Sequence, residues 1–166
     1  GDSGSGGGST ISQQLAKMLF PREELNNFVS MSVRKFREWV IAVKLEKSYT
    51  KEEIIAMYFN QFDFLNLAVG IKSASFVYFN SNPKDLKIEQ AAMLVGMAKN
   101  PSLFNPLRRS EMTTKRRNVV LHQMYKYDKI TKEQFDSLKK LPLGINYQKV
   151  DHKIGTAPYL REFIRI

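Results

Sequence analysis

One glutamate, Glu38, stands out as a side chain that could do chemistry, because it lies within a largely apolar run. On a helix it would share one stripe with Ile41, Ala42 and Leu45. A carboxylate on an apolar face is either paired with a cation or placed for chemistry. The basic residues just before it, in segment 34–37, could supply that cation, so both interpretations stay open at this point.

The opposite stripe of the same run, formed by Phe36, Val40 and Val43, is apolar as well. A helix with apolar residues on two sides is typical of an element that is packed on both of them. We therefore expect a long helix over about 30–49 that is central to the fold and carries Glu38.

A second candidate site is the start of the chain, where Gly7 and Gly8 precede a predicted helix N-terminus. Such a helix end exposes backbone N–H groups and the positive end of the helix dipole, which suits a phosphate. Lys17, one turn beyond Gln13, could add a point charge. The other interpretation is a flexible tail in front of a capped surface helix.

A third candidate is a group of five cations within ten residues: Arg108, Arg109, Lys115, Arg116 and Arg117. Only Glu111 opposes them, so the group predicts either an anion-binding rim or a solvated helix face. The two histidines, His122 and His152, are isolated from each other and make no metal motif, and we predict no metal site.

The elements that must position these candidates are helical. Capping patterns that begin at Thr10, Thr50 and Thr131 mark helix starts, whereas segment 70–79 fits a helix or a strand. The predicted helices cover about 10–20, 30–49, 50–62, 88–98, 111–127 and 131–140. Because no segment shows a clear strand alternation, the predicted fold class is all-α, mainly helical, in a single domain.

The composition limits the classes of protein that fit. The 166 residues contain 26 Lys and Arg against 16 Asp and Glu, a formal charge of +10, with 43% hydrophobic residues and no cysteine. These values exclude a disordered chain and a disulfide framework. No apolar run reaches the length of about 18 residues that a transmembrane helix needs. The charge predicts an anionic partner: nucleic acid, a membrane surface or a phosphorylated substrate.

Four segments resemble, in order, the second to fifth motifs of the peptidoglycan glycosyltransferases. This is the polymerising domain of class A penicillin-binding proteins and of the monofunctional transglycosylases. The segments are 7–17 (GGSTISQQLAK), 34–46 (RKFREWVIAVKLE), 49–60 (YTKEEIIAMYFN), and 91–97 with 100–106 (AAMLVGM and NPSLFNP), followed by 116–121 (RRNVVL). The match runs from Gly7 to about Leu138, and four motifs in the right order make it highly specific.

The resemblance implies a lysozyme-like, mainly helical fold and the polymerisation of lipid II, a disaccharide-peptide carried on undecaprenyl pyrophosphate. In that reaction the 4-hydroxyl of the acceptor attacks the anomeric carbon of the donor chain, and the lipid pyrophosphate leaves. Cations and helix N–H groups would stabilise the charge that grows on this leaving group.

The resemblance also implies roles for individual residues. Glu38 corresponds to the third-motif glutamate near the donor pyrophosphate and sugar, and it is the predicted catalytic residue. The second-motif residues that line the donor side are Ser9, Gln13 and Lys17. The basic residues that correspond to phosphate contacts are Arg34, Lys35 and Arg37. The predicted supporting residues are Glu46, Asn60, Arg116 and Arg117.

The implied partners are lipid II, the growing glycan-lipid chain, an anionic membrane surface and moenomycin-type phosphoglycolipids, while nucleic acid is not expected. No cofactor is expected to be required, although a divalent cation, Mg²⁺ or Mn²⁺, is compatible with the resemblance. We expect the protein at the outer, periplasmic face of the bacterial cytoplasmic membrane, anchored by a segment that these residues do not include.

The chain departs from the family pattern in two places that matter. The first motif, which carries the glutamate thought to act as general base, has no match, so we expect these residues alone to be inactive or nearly so. At segment 64–67 the family usually has Phe-Gly with a second Gly nearby, whereas this chain has Phe-Leu-Asn-Leu, which predicts a less flexible loop. The predicted organisation is a flexible Gly/Ser segment over 1–8, a glycosyltransferase domain lacking its first motif over 9–140, and an irregular extension over 141–166.

Two other functions fit part of the pattern. One is a lysozyme-like hydrolase that cleaves glycan with Glu38 as the acid, although the motifs of a pyrophosphate donor site argue against it. The other is a non-enzymatic helical domain that binds nucleic acid through the charge of +10.

Overall fold

The computed structural model describes residues 9–20 and 28–149. These residues form seven α-helices: α1 (Ile11–Leu19), α2 (Phe28–Ser48), α3 (Lys51–Gln61), α4 (Gly70–Phe79), α5 (Ile88–Met97), α6 (Ser110–Lys126) and α7 (Lys132–Leu138). A short 3₁₀ helix, Pro83–Asp85, lies between α4 and α5. Apart from an isolated β-bridge between Asp63 and Val69, the described residues contain no strand, which confirms the all-α prediction.

The capping patterns begin helices where the sequence predicts them. The Thr50 Oγ1 atom accepts a hydrogen bond from the Glu53 backbone at 3.2 Å, and a Glu53 carboxylate oxygen accepts one from the Thr50 backbone N–H at 2.8 Å. The hydrogen bonds that the Thr50 backbone N–H and the Thr50 hydroxyl donate to the Glu53 carboxylate lower the pKa of Glu53. Thr131 makes the same reciprocal cap on α7, and the Thr10 hydroxyl caps α1 by accepting from the Gln13 backbone at 3.2 Å.

Segment 70–79, which fits a helix or a strand by its sequence, is the helix α4. Its buried residues include Ala74, Val77 and Tyr78, which have the spacing of one helical face. The helix ends at Asn80, which adopts the left-handed conformation (φ 51°) that Asn tolerates better than most residues.

The chain forms two compact units, Gly1–Phe62 and Asp63–Ile166. In the first unit α1 packs against both α2 and α3. The helix α1 buries Ser12, Leu15 and Ala16, whose spacing makes one continuous face. The other buried apolar residues of this unit are Ala42, Ile54, Tyr58 and Phe62.

The expectation that α2 is packed on both apolar stripes is wrong at Phe36, whereas Val40 and Val43 on the same stripe are half-buried. Ala42, on the stripe that contains Glu38, is buried, but Phe36 on the opposite stripe is 64% exposed. Trp39 beside it is 52% exposed, and the two rings lie 5.8 Å apart between centroids. The sequence shows which residues are apolar along a helix, but not whether another element covers each stripe.

The second unit packs α5 along α6, and α6 against α7. Ala92, Leu121 and Ile130 form the buried centre of one cluster. The partly buried side chains packed around it are Val120, Met124, Tyr125, Phe135 and Leu138. The strongly apolar α5 and the helical spacing in α6 therefore serve the core of this unit, as their sequences predict.

The loop at 65–67 has an unusual backbone, because its three successive residues have φ values of 65°, 52° and 64°. Left-handed backbone is costly for residues with a side chain and free of that cost for glycine. The loop is closed by Leu65 N–H, which donates to the Asp63 carboxylate at 2.8 Å. The glycines that the family usually carries here would therefore suit this backbone.

Tyr78, which is fully buried, braces the same loop. Its hydroxyl donates to the Phe64 carbonyl at 2.7 Å and accepts from the Asn66 side-chain amide at 2.8 Å. Burial raises the pKa of Tyr78 to about 12. The hydroxyl is thus a neutral donor that fixes the loop to α4.

Residues 141–149 contain no regular element, and segments 1–8 and 150–166 lie outside the described residues. The anion site expected at Gly7 and Gly8 therefore also lies outside them. The predicted domain boundaries remain a prediction.

Candidate functional site

The Lys35 side chain joins two of the predicted site residues. Its Nζ atom donates to the Ser9 hydroxyl at 3.1 Å and lies 3.5 Å from the Glu38 Oε2 atom. Lys35 and Glu38 are three residues apart on α2, so they share a helix face, whereas Ser9 comes from the segment just before α1. The packing of α1 on α2 therefore brings the second-motif and third-motif residues together.

A second ammonium group approaches the same carboxylate, because the Lys17 Nζ atom lies 3.8 Å from Glu38 Oε2. The Glu38 side chain is 12% exposed and the Lys17 side chain 30% exposed. Salt bridges in such partly solvated positions contribute only about 0–1 kcal/mol to stability. Two ammonium groups facing one carboxylate leave a net positive charge at this position.

Glu38 is thus paired with cations, one of the two interpretations that its position allows. Its partners are Lys35, which is among the neighbouring basic residues expected to supply the charge, and Lys17, which comes from α1. Whether Glu38 also acts on substrate remains a prediction.

Ser9 is held in place by a hydrogen-bonded chain that the sequence did not single out. The Gln14 side-chain amide donates to the Ser9 carbonyl at 3.3 Å, and the Tyr58 hydroxyl donates to the Gln14 Oε1 atom at 3.1 Å. Gln14 and Tyr58 lie inside the motif segments 7–17 and 49–60. The one available signal was general: a buried tyrosine hydroxyl needs a polar partner.

The other predicted residues of the first unit take different positions. Gln13 is half-buried in the first turn of α1, Arg34 is half-buried and Arg37 exposed on α2, and Asn60 is exposed near the end of α3. Arg34 precedes Glu38 by one helical turn and so shares its face. Their predicted roles remain predictions.

Glu46 lines a cavity of about 460 Å³ in the first unit. The walls come from the start of α1, the end of α2 and the start of α3: Thr10, Ile11, Ser12, Glu46, Tyr49, Lys51, Ile54 and Ile55. An aromatic ring, two charged groups and aliphatic walls are a lining that can hold an amphipathic molecule such as a sugar. Thr10, one of the lining residues, follows Ser9 directly in the sequence.

The two supporting arginines of the second unit have structural contacts. Arg116 donates from Nε to the Gly96 carbonyl at 3.3 Å, and its guanidinium lies over the Phe104 ring at 5.8 Å from the centroid. A Cβ atom added at Gly96 would lie 3.2 Å from the Arg116 Cγ atom, so the glycine makes room for this side chain.

Arg117 fits neither of the two expectations for this group of cations, an anion-binding rim or a solvated helix face. It is fully buried, and its guanidinium donates to the Lys139 and Pro142 carbonyls at 3.2 and 3.0 Å and to the Asn118 side chain. Burial lowers the pKa of Arg117. The guanidinium of Arg117 thus donates mainly to backbone carbonyls of the segment that follows α6. The sequence did not reveal this burial, because helical spacing alone cannot show which basic residue of a helix points inward.

The described residues contain no group of three or more His, Cys, Asp or Glu side chains arranged to hold a metal ion. Among the helices they form, none has the length and hydropathy required to cross a membrane.

Fold and site together define a class: a helical, strongly basic protein in which Lys17 and Lys35 surround the Glu38 carboxylate beside Ser9. Comparison with known proteins gives the family. A family model described as transglycosylase matches residues 1–125. The chain therefore belongs to the transglycosylase family, which confirms the resemblance and, at the level of the family, the predicted enzyme class.

Curated relatives agree with this membership. The chain is 36% identical to penicillin-binding protein 1A of Pseudomonas aeruginosa over 159 residues, which cover 96% of this chain and 19% of the relative. It is 36% identical to penicillin-binding protein 1A of Escherichia coli K12 over 161 residues, 97% of this chain and 18% of the relative. The chain thus spans about a fifth of the length of the curated relatives it matches.

A solved structure supports the same fold. The crystal structure of penicillin-binding protein 1A from Haemophilus influenzae matches with a TM-score of 0.55 and 26% identity. The match covers 93% of this chain and 18% of that chain. The helical architecture is therefore the one found in a penicillin-binding protein.

Proposed function

We propose that this chain supplies the donor site of a peptidoglycan polymerase that joins lipid II units into glycan strands and releases undecaprenyl pyrophosphate. The observation that carries the proposal is the Lys35 ammonium group between Ser9 and Glu38, with Lys17 on the same carboxylate. Membership of the transglycosylase family supports the reaction class. The substrates are lipid II and the growing glycan-lipid chain.

In the proposed reaction the acceptor 4-hydroxyl oxygen forms a bond to the donor anomeric carbon, and the bond from that carbon to the pyrophosphate oxygen breaks. The electron pair leaves on the pyrophosphate, where Lys17 and Lys35 stabilise the added charge. The hydroxyl proton goes to a general base, which the resemblance assigns to the first-motif glutamate. Glu38 orients the two ammonium groups toward the leaving group.

The first motif has no match among these residues, so they carry one of the two expected carboxylates. General-base catalysis is typically worth about 10²–10⁴-fold in rate. We therefore expect the 166-residue chain to bind the donor but to turn it over slowly, and activity assays to require a longer chain that includes this motif.

We also propose that the first unit works at an anionic membrane surface, on the periplasmic face of the bacterial cytoplasmic membrane. Phe36 and Trp39 are exposed side by side on α2, and the exposed Arg37 lies between them in sequence. Aromatic side chains with neighbouring cations favour a lipid-water interface. At that surface the first unit would meet its substrate, which is itself anchored in the membrane by a lipid pyrophosphate.

No cofactor is required in this proposal. A divalent cation, Mg²⁺ or Mn²⁺, would associate with the pyrophosphate oxygens of the substrate. Addition of a chelator to a polymerisation assay tests this expectation, because turnover that survives chelation needs no such cation.

Moenomycin-type phosphoglycolipids, which resemble the donor chain, are proposed ligands of the cluster formed by Ser9, Lys17, Lys35 and Glu38.

A polymerisation assay separates the proposal from its two alternatives. A chain extended to include the first motif is incubated with lipid II, and glycan products and undecaprenyl pyrophosphate are measured. We expect both products to accumulate. Cleavage of preformed glycan without polymerisation would overturn the proposal in favour of a hydrolase. Strong, salt-dependent binding of duplex nucleic acid without lipid II turnover would favour a non-enzymatic domain that binds nucleic acid.

A further inference from the structure

Tyr58 and Gln14 form the support beneath the lysine-rich cluster. Tyr58 is 3% exposed, and its hydroxyl donates to the Gln14 Oε1 atom at 3.1 Å. The Gln14 Nε2 atom donates to the Ser9 carbonyl at 3.3 Å, and the Ser9 hydroxyl accepts from Lys35 at 3.1 Å. A continuous chain of hydrogen bonds therefore runs from α3, through α1, to an ammonium group on α2.

We infer that Tyr58 and Gln14 are positioning residues that hold Ser9 in the geometry needed to bind a pyrophosphate group beside Lys35. The inference rests on the proposed function, because it assumes that the cluster of Ser9, Lys17, Lys35 and Glu38 receives this anion. It adds two residues that do not touch the anion and act on it through Ser9.

The direction of each hydrogen bond is fixed by chemistry. The Ser9 carbonyl can only accept, so Gln14 must present its NH₂ group to that carbonyl. The Gln14 Oε1 atom then faces Tyr58, whose hydroxyl must donate. Removal of the hydroxyl leaves the amide free to rotate, and a rotated amide would set two carbonyl oxygens against each other at Ser9.

The surroundings of Tyr58 allow its hydroxyl to be removed selectively. Its ring contacts Phe59 and Phe62, with centroids 5.2 and 5.5 Å apart. A phenylalanine at position 58 keeps both ring contacts and loses the donor alone. Burial raises the pKa of Tyr58, which keeps the hydroxyl protonated at neutral pH.

The test measures inorganic pyrophosphate binding by calorimetric titration of the 166-residue chain and three variants: Tyr58→Phe, Gln14→Met and the double variant. We expect each single variant to bind about three- to tenfold more weakly, the range that one net hydrogen bond gives. Because both residues act through Ser9, the double variant is expected to bind no more weakly than the weaker single variant. Tyr127→Phe, at an exposed tyrosine of the second unit, is the matched control and should bind as the wild type does.

The outcomes separate this inference from the proposed function. If Tyr58→Phe and Gln14→Met bind pyrophosphate as tightly as the wild type, the positioning role is wrong and the anion site stands. Additive losses in the double variant would also overturn it, because the two residues would then act independently. If the wild type does not bind pyrophosphate at all, the anion site fails and the positioning role falls with it. Thermal unfolding of each variant is recorded, and Gln14→Met decides the question if Tyr58→Phe does not fold.

Discussion

Lys35 donates from its ammonium group to the hydroxyl of Ser9 at 3.1 Å, across 26 residues of sequence. The contact joins the segment that starts α1 to the middle of α2. Lysine is a compact, hydrated charge with three donors, so the two contacts of Lys35 leave capacity for a third, anionic partner. This free donor capacity is what the proposed pyrophosphate site requires of Lys35.

Glu38→Gln tests the role of the carboxylate. In a chain that includes the first motif, we expect this variant to lower turnover of lipid II by about 10- to 100-fold, because the two ammonium groups lose the anion that orients them and hydrogen bonds to charged groups are worth about 1.5–3 kcal/mol. Glu52→Gln, at an exposed residue of α3, is the control and should leave turnover unchanged. Circular dichroism establishes whether the variant is folded. Turnover per folded molecule equal to the wild type would show that Glu38 is purely structural.

Trp39 should report membrane binding, because it is the single tryptophan of the chain and 52% exposed. We expect its fluorescence emission to shift to shorter wavelength on addition of phosphatidylglycerol vesicles and to stay unchanged with uncharged phosphatidylcholine vesicles. Arg37→Gln should weaken the binding about fivefold, the effect of roughly 1 kcal/mol per basic residue near an anionic surface. An unshifted emission spectrum with both vesicles would argue against this surface.

Leu67→Gly should stabilise the protein. Leu67 has a φ of 64° and is 55% exposed, so it has a strained backbone and few contacts to lose. Relief of left-handed strain is worth roughly 1–2 kcal/mol, and the extra freedom of glycine in the unfolded chain costs about 0.5–1 kcal/mol. We expect a net gain of up to about 1.5 kcal/mol in the free energy of unfolding by urea. Leu67→Ala, which shortens the side chain and keeps the strain, is the control; equal stability of the Gly and Ala variants would contradict the account.

The raised pKa of Tyr78 predicts that the folded protein loses stability at alkaline pH. Its pKa is raised by burial from 10.0 to about 12, so the folded state holds the proton more tightly than the unfolded state. The contribution is fully present below pH 10 and is lost as the pH rises toward 12. By pH 11 the loss is about 1.4 kcal/mol, since one pKa unit corresponds to about 1.36 kcal/mol.

Tyr78→Phe isolates this effect from other titrations. The difference in free energy of unfolding between the wild type and Tyr78→Phe should be constant between pH 7 and 9 and should shrink by about 1.4 kcal/mol by pH 11. A difference that stays constant up to pH 11 would mean that Tyr78 titrates normally in the folded protein.

The sequence predicts those parts of the site that depend on local spacing. Lys35 and Glu38 share a helix face because they are three residues apart, and the capping pattern at Thr50 begins α3 where it should. The approach of Ser9 to Lys35 followed only from the resemblance, since spacing within a helix says nothing about which helices pack together.

Other features depend on tertiary packing and were beyond the sequence patterns. Gln14 and Tyr58 form a hydrogen bond because α1 packs against α3. The sequence around either residue does not indicate that these two helices pack together. Arg117 was expected on an anion-binding rim or a solvated helix face, whereas it is buried and the following segment accepts its hydrogen bonds. Phe36 shows the reverse error, because it is exposed at one end of an apolar stripe whose other members, Val40 and Val43, are half-buried.

Titration with inorganic pyrophosphate is the measurement that tests the central claim most directly. The wild-type chain, Lys35→Met and the control Lys44→Met, at an exposed lysine on the same helix, are compared by calorimetry at one fixed salt concentration. We predict that the wild type and Lys44→Met bind alike and that Lys35→Met binds about 10- to 100-fold more weakly, the loss expected for a charge-assisted hydrogen bond. Equal affinity of Lys35→Met and Lys44→Met for pyrophosphate would contradict the assignment of the Ser9–Lys35–Glu38 cluster as the donor pyrophosphate site.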